Sequence, residues 1–343
     1  MEEPKVAIEL LKHQDFHLLQ KFIHTSFSKN HIFSKENTIF DWQYKGPSEY
    51  FCMSAKKGNE LIGIQGFIPL CHFDKNLPSD QIFLALWVAQ GGREVGVGLR
   101  CHNQLLKIYK PKFLGSLGIN KKAIAFHVWQ KFNVGIMDHH VALSPRVKNF
   151  KIAVVTNDII PAKTKHRSSI SFEKITESKL QTLDTSKLYL HQTPLKSDIY
   201  IKNRFMNHPV YSYDVYAITK EEIPQALCVI RPILQDGVSV LRIVDFIGAN
   251  EVFLLLPEFI LAILEEYDAE YIDLYSHGVP LKTLKQSEFI NCKKTKGLII
   301  PNYFEPFEQK NVDIAFAYKT TQSLPPVRLF KADGDQDRPK QLK

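Results

Sequence analysis

The sequence predicts an α/β protein in which one strand–helix–strand plan is laid down twice, and three observations carry that reading. An apolar run of strand length, Ile82 to Val88, passes through a glycine-rich turn into Leu99, Leu105 and Leu106, spaced for one face of a helix. The pattern then recurs: Leu84 to Val97 lines up with Leu241 to Leu254 at an offset of 157, residue 241 minus residue 84, and Phe132 lines up with Phe289 at the same offset. Finally, 343 residues, 44% hydrophobic and 23% charged, leave room for two domains with substantial cores.

In chain order, Lys5 to Leu11 reads as a strand and Asp15 to Phe27 as a helix with Phe16, Leu19, Phe22, Ile23 and Phe27 at helical intervals. Two strands, Tyr50 to Lys56 and Leu61 to Leu70, flank the turn Lys57-Gly58-Asn59. After the central strand and helix, Phe113 to Asn120 reads as a strand, a short helix runs from Lys122 toward Trp129, and Val134 to Leu143 reads as one further strand. The polar, basic segment 161–169 is read as a linker between domains 1–160 and 170–343. Beyond it the plan returns: Trp42 to Tyr50 aligns with Asn203 to Tyr213, Phe67-Ile-Pro69 with Ile230-Arg-Pro232, and Phe113 to Asn120 with Tyr271 to Gly278.

Composition narrows the function classes. No apolar run reaches the roughly 18 residues of a membrane span, and the acidic start Met-Glu-Glu-Pro-Lys does not read as a signal peptide, so a cytoplasmic location is expected. The five cysteines are scattered, without a Cys-x-x-Cys or metal-ligand spacing, which fits a reducing compartment and predicts no metal. The net charge of +8 is spread along the chain without a basic block; it suits polyanionic small molecules as well as nucleic acid, and a nucleic-acid partner is not expected.

The two copies differ at the turn. Gly96 and Gly98 leave bare backbone at a helix start, where free N–H groups and the helix dipole favour a phosphate, whereas the second copy carries Asn250-Glu-Val-Phe-Leu-Leu255. Arg93-x-x-Gly96-x-Gly98 resembles the pyrophosphate-binding loop of the GNAT acyltransferase superfamily, whose usual form is Gln or Arg, two residues, Gly, one residue, Gly or Ala. The resemblance implies two tandem GNAT-like domains, each a mixed, mostly antiparallel sheet flanked by helices, with acyl-CoA as co-substrate. It implies that Arg93, Glu94, Val95, Gly96, Val97 and Gly98 hold the pyrophosphate, that the backbone of the strand Leu84 to Val88 pairs with the pantetheine arm, and that its amides near Trp87 and Val88 supply the oxyanion donors. Asn120 is a further cofactor-binding candidate, or else the cap of the helix that follows it.

Acyl transfer to an amine needs a proton acceptor, and candidates come from local reasoning. His139 and His140 alternate in a strand, so one at most faces a pocket; His139, His277 and Asp245 are the catalytic candidates. Arg242 and Asp245 are charges in the apolar run Val240 to Gly248, expected at the strand edge, paired with one another, or on a ligand. The tail Asp333-Gly-Asp-Gln-Asp337-Arg338 begins like a calcium loop but lacks the glutamate at the twelfth position. Its simplest reading is a solvated terminus; its charge would equally suit holding an acceptor. Together these features resemble bacterial N-acyltransferases that modify nucleotide-linked amino sugars for surface polysaccharides. That implies a dTDP- or UDP-linked amino sugar as acceptor, the C-terminal half as its binding domain, no dedicated general base, and a homo-oligomer as one compatible assembly. Arg242, Asp245, Tyr275, Tyr303 and Trp42 are then the substrate-binding candidates, the aromatics by stacking on a base or sugar. The rivals are a tandem transferase that uses aminoacyl-tRNA, and a non-catalytic binding module.

Overall fold

The computed structural model describes residues 5–90, 94–156, 159, 170–190, 192–321 and 324–339. The chain forms two units: residues 1–134, 316–322 and 338–343, and residues 135–315 and 323–337. Its elements are β1 (Val6–Lys12), α1 (Phe16–Ser26), α2 (Thr38–Tyr44), β2 (Glu49–Lys57), β3 (Glu60–Pro69), β4 (Gln81–Ala89), α3 (Val97–Tyr109), β5 (Phe113–Leu117), α4 (Lys121–Trp129), β6 (Asn133–Ile136) and β7 (Asp138–Leu143). The second half adds β8 (Ile170–Lys174), α5 (Glu177–Thr182), α6 (Asp198–Ile201), β9 (Asp214–Lys220), β10 (Ile223–Gln235), β11 (Val238–Gly248), α7 (Leu256–Glu266), β12 (Ala269–His277) and α8 (Leu281–Gln286). The chain closes with β13 (Ile290–Asn291), β14 (Tyr303–Phe304), β15 (Phe307–Glu308), β16 (Ala315–Thr320) and β17 (Leu329–Phe330).

The first sheet has the order β1-β2-β3-β4-β5-β16-β6, antiparallel up to β4, parallel between β4 and β5, and antiparallel again from β5 to β16. The second sheet repeats this as β8-β9-β10-β11-β12-β7-β13, with its one parallel pair between β11 and β12. The offset is visible in the elements themselves. Gln81 opens β4 and Val238 opens β11; Tyr109 ends α3 and Glu266 ends α7.

One expectation needs correction. The run Val134 to Leu143 is not one strand: it breaks at Met137, whose amide donates to the Ile314 carbonyl at 2.9 Å, leaving β6 in the first sheet and β7 in the second. The place after β5 is taken instead by β16, and the place after β12 by β7.

Packing follows the patterning. In the first unit, α3 lays Val97, Cys101 and Leu105 on Met53, Ala55, Phe67, Ile82 and Leu84. The aromatic face of α1 and α2 brings Phe16, Phe40 and Tyr50 into mutual contact, with ring centroids 5.1 to 5.7 Å apart. In the second unit, Phe259, Ile260, Ile263 and Leu264 of α7 cover Leu241, Ile243, Ile272 and Leu274, and a second cluster around Val141, Val240, Tyr271 and Ile300 forms another core. Among the described residues no helix is long and apolar enough to cross a membrane.

Candidate functional site

Each sheet opens into a fork after its parallel pair. β4 and β5 are paired from Gln81↔Phe113 to Leu84↔Ser116, and then part; β4 runs on to Ala89 while β5 ends at Leu117. The parting coincides with a bulge, because Ala85 and Leu86 of β4 stand opposite Gly66 alone, and an extra residue bends the strand. In the second sheet β11 and β12 stay paired to Ile243↔Leu274, where Val244 is the extra residue against β10.

At the mouth of the first fork sits the start of α3. Its N-cap is Gly96 at φ +78°, a left-handed conformation that glycine adopts without strain, and no side chain caps the helix. The amides of its first turn are therefore open to an anion. Val95 is fully exposed, and a Cβ built on Gly96 would meet nothing within 4 Å. Gly98 works differently: its Cβ would come 2.9 Å from Trp87 Nε1, so glycine there lets α3 pack down on β4. Glu94 is tied to Lys57 at 3.0 Å rather than left to repel a phosphate. Trp87 meets Phe126 of α4 edge-on at 4.6 Å, with His102 of α3 at 6.2 Å; burial holds the His102 imidazole neutral, its pKa down near 4. Val88 is buried beside Trp87 on β4. Arg93 lies outside the described residues, as does the segment 161–169. Asn120 is spent on the cap, its Oδ1 accepting from the Ala123 amide at 3.0 Å.

The second fork is filled by the protein itself. The segment from Arg328 to Asp337 runs into it: Phe330 and Leu329 of β17 pair with Ser276 and His277 of β12, and the Ala332 amide donates to the Val244 carbonyl of β11 at 2.9 Å. Arg204 donates to the carbonyls of Ala332 and Gly334 at 3.0 and 2.8 Å, and Arg328 to that of Gly248. This overturns the expected solvated tail, since Lys331, Asp333 and Asp337 are all at most 3% exposed. The tail's two buried carboxylates meet cations: Asp333 lies 3.2 Å from Lys196 and Asp337 2.8 Å from Arg231.

Four of the residues singled out from sequence lie together here. Arg242 forms a two-pronged pair with Asp273, its Nε and Nη2 within 2.8 and 2.7 Å of the two carboxylate oxygens, and donates to the Pro301 and Asn302 carbonyls. His139 Nε2 lies 3.0 Å from Asp273 Oδ2, and its ring stacks on Tyr275 at 3.8 Å. Tyr303, half-buried on β14, lies in the same charge environment. Burial works against ionised Asp273, but Arg242 and His139 outweigh it and hold its pKa down to about 2, while burial keeps His139 neutral. Sequence reasoning missed Asp273 and Lys331. The signal for Asp273 was a lone carboxylate in the apolar strand Tyr271 to Tyr275, the same signal that had flagged Arg242.

The remaining candidates lie apart. Asp245 does not pair with Arg242; it accepts from buried Lys196 at 2.6 Å and from the Phe246 amide at 2.8 Å. His277 sits half-buried at the end of β12, where burial lowers its pKa against the pull of Asp138. Trp42 belongs to α2 in the first unit, its ring 5.2 Å from that of Phe73.

No protein-family model and no curated protein sequence matches this chain. Among solved structures it is similar to a GCN5-related N-acetyltransferase from Anabaena variabilis, at 12% identity and a TM-score of 0.54, over 92% of this chain and 72% of that one. It is also similar to an N-myristoyltransferase from Saccharomyces cerevisiae with bound myristoyl-CoA, at 9% identity and a TM-score of 0.49, over 94% of this chain and 81% of that one. The chain thus has an α/β fold of two tandem GNAT-like domains, each a mixed, mostly antiparallel sheet flanked by helices.

Proposed function

We propose that the protein is an N-acyltransferase that moves an acyl group from acyl-CoA to an amine, with the cofactor held by the first unit alone. The observation that supports this is the difference between the two forks. The second receives an extended segment whose Ala332 amide bonds the carbonyl of Val244, a residue 157 places after Trp87. The first offers the same parted strands with an uncapped, glycine-started helix at its mouth. A pantetheine arm is an extended, amide-bearing chain and would lie along β4 as the tail lies along β11, its pyrophosphate on the amides of Val97, Gly98 and the residues before them.

The acceptor in this reading is a nucleotide-linked amino sugar, bound by the second unit. Its support is the basic and aromatic set made by buried Arg242 and Tyr275 and half-buried Tyr303. A neutral acceptor amine attacks the thioester carbonyl, the oxyanion is met by backbone N–H groups at Trp87 and Val88, and the thiolate of coenzyme A leaves and takes up a proton. His139 has one nitrogen committed to Asp273 and sits in the core, which accords with chemistry that uses no dedicated base.

Gly96→Val tests the cofactor site cleanly. The new side chain enters open space, so it costs only left-handed strain, on the order of 1–2 kcal/mol. Coenzyme A should raise the melting temperature of the wild-type protein and leave that of Gly96→Val unchanged. An equal shift in both would place the cofactor elsewhere.

A further inference from the structure

Two buried charged groups border the second fork, and they differ in balance. Lys196 lies 2.6 Å from Asp245 and 3.2 Å from Asp333, and the same carboxylates attract Arg328, so two cations meet two anions. The other group contains Arg231, Arg242 and Lys331, with Asp273 and Asp337 buried among them and Glu305 at its rim, accepting from the Tyr211 hydroxyl at 3.3 Å. Arg242 takes Asp273 at 2.7 Å, Arg231 takes Asp337 at 2.8 Å, and Lys331 is left over. None of these five residues is more than 8% exposed.

The backbone register sharpens the imbalance. Arg231 and Arg242 are direct partners on antiparallel β10 and β11, where side chains leave the same face and like charges repel. Among the described residues the only hydrogen bond of Lys331 Nζ goes to the Gln336 carbonyl at 3.4 Å, and the Nε of Arg231 has no partner. Buried donors are almost always satisfied and buried charges almost always paired. The donors left open, Nε of Arg231 and Nζ of Lys331, lie beside an Arg242 whose five N–H groups are all engaged, and an oxygen-rich anion answers them.

We infer that Arg231 and Lys331, backed by the fixed positive charge of Arg242, form a binding site for a phosphate-bearing anion. The open Nε–H of Arg231 and the ammonium of Lys331 suit phosphate oxygens, and the ring of Tyr211 under Arg231 at 4.2 Å gives the site an aromatic floor. The cluster comes closest to solvent at Arg231, whose side chain is 10% exposed beside half-buried Tyr211. This deepens the acceptor half of the proposed function and rests on it only for the ligand's identity: the diphosphate of a nucleotide-linked sugar, with the phosphates of coenzyme A as the other source. Lys331 gives the site a signature. Burial and the neighbouring Arg242 and Arg231 bring its pKa down to about 7, against the pull of Asp337 and Asp273, with neutral His139 and the Tyr275 ring also beside it. A bound anion restores the ammonium, so binding at pH 8 takes up a proton.

The test is calorimetric titration of full-length Gly96→Val, whose cofactor loop is blocked, with inorganic pyrophosphate, uridine diphosphate and coenzyme A in buffers of different ionisation heat. Pyrophosphate and uridine diphosphate should bind at one site with proton uptake at pH 8, and Lys331→Met should weaken them at least tenfold and abolish the uptake. Coenzyme A binding at this site in the same manner would name it as the source. Should Lys331→Met fail to fold, the uptake at pH 8 and its absence at pH 6 decide the matter. No binding by any of the three, or binding without proton uptake, would overturn the site. Failure of the acyl-CoA reading looks different: coenzyme A would then bind wild type and Gly96→Val alike.

Discussion

At the scale of single residues, the second unit is organised by charges that cannot be left alone. Asp273 is the clearest case, fully buried with Arg242 on both oxygens and His139 on one. Asp273→Asn would leave a buried guanidinium without its counter-charge and should cost about 3–5 kcal/mol, read by denaturant unfolding. The sign of its pH effect is fixed: its folded pKa lies below the unfolded value, so its contribution is present above about pH 4 and fades as the pH falls through about 2. Acid unfolding of the wild type should therefore lose a component between those limits that Asp273→Asn lacks. Sequence flagged Arg242 because a charge in an apolar strand needs a reason. It could not say which carboxylate answers, because Asp273 and Asp245 are both on core strands and only the register, Arg242↔Asp273, chooses between them.

At the scale of elements, helix starts decide what each fork can hold. α3 begins at a left-handed glycine with no cap, whereas the equivalent stretch of the second half, Asn250–Leu255, winds as a tight 3-10 turn before α7. The glycines were legible as bare backbone at a helix start because their chemistry is local, and α3 starts so at Gly96. The tail was not: Asp, Gly and Gln residues read as solvated, and only the partners Arg204, Arg231 and Lys196, more than 90 residues upstream, make their burial favourable. α4 supplies a contrast within the first unit. Asn120→Ala should destabilise by about 1 kcal/mol through the lost cap, without changing coenzyme A affinity, which a melting curve and a titration would separate.

At the scale of the whole molecule, the repeat was the most legible feature, since one offset carries from the start of β4 and the end of α3 to the start of β11 and the end of α7. What the repeat concealed is that β7 and β16 each complete the sheet of the other half of the sequence. An apolar strand carries the same alternation whichever sheet receives it, so pattern alone could not assign them. The central claim is that two matching forks have different occupants: coenzyme A in the first, the protein's own residues 328–337 in the second. Amide hydrogen exchange with and without coenzyme A tests this most directly. Protection on binding should be confined to residues 84–90 and 94–100, with residues 241–256 and 328–337 unchanged; protection of the latter segments in place of the former would contradict it.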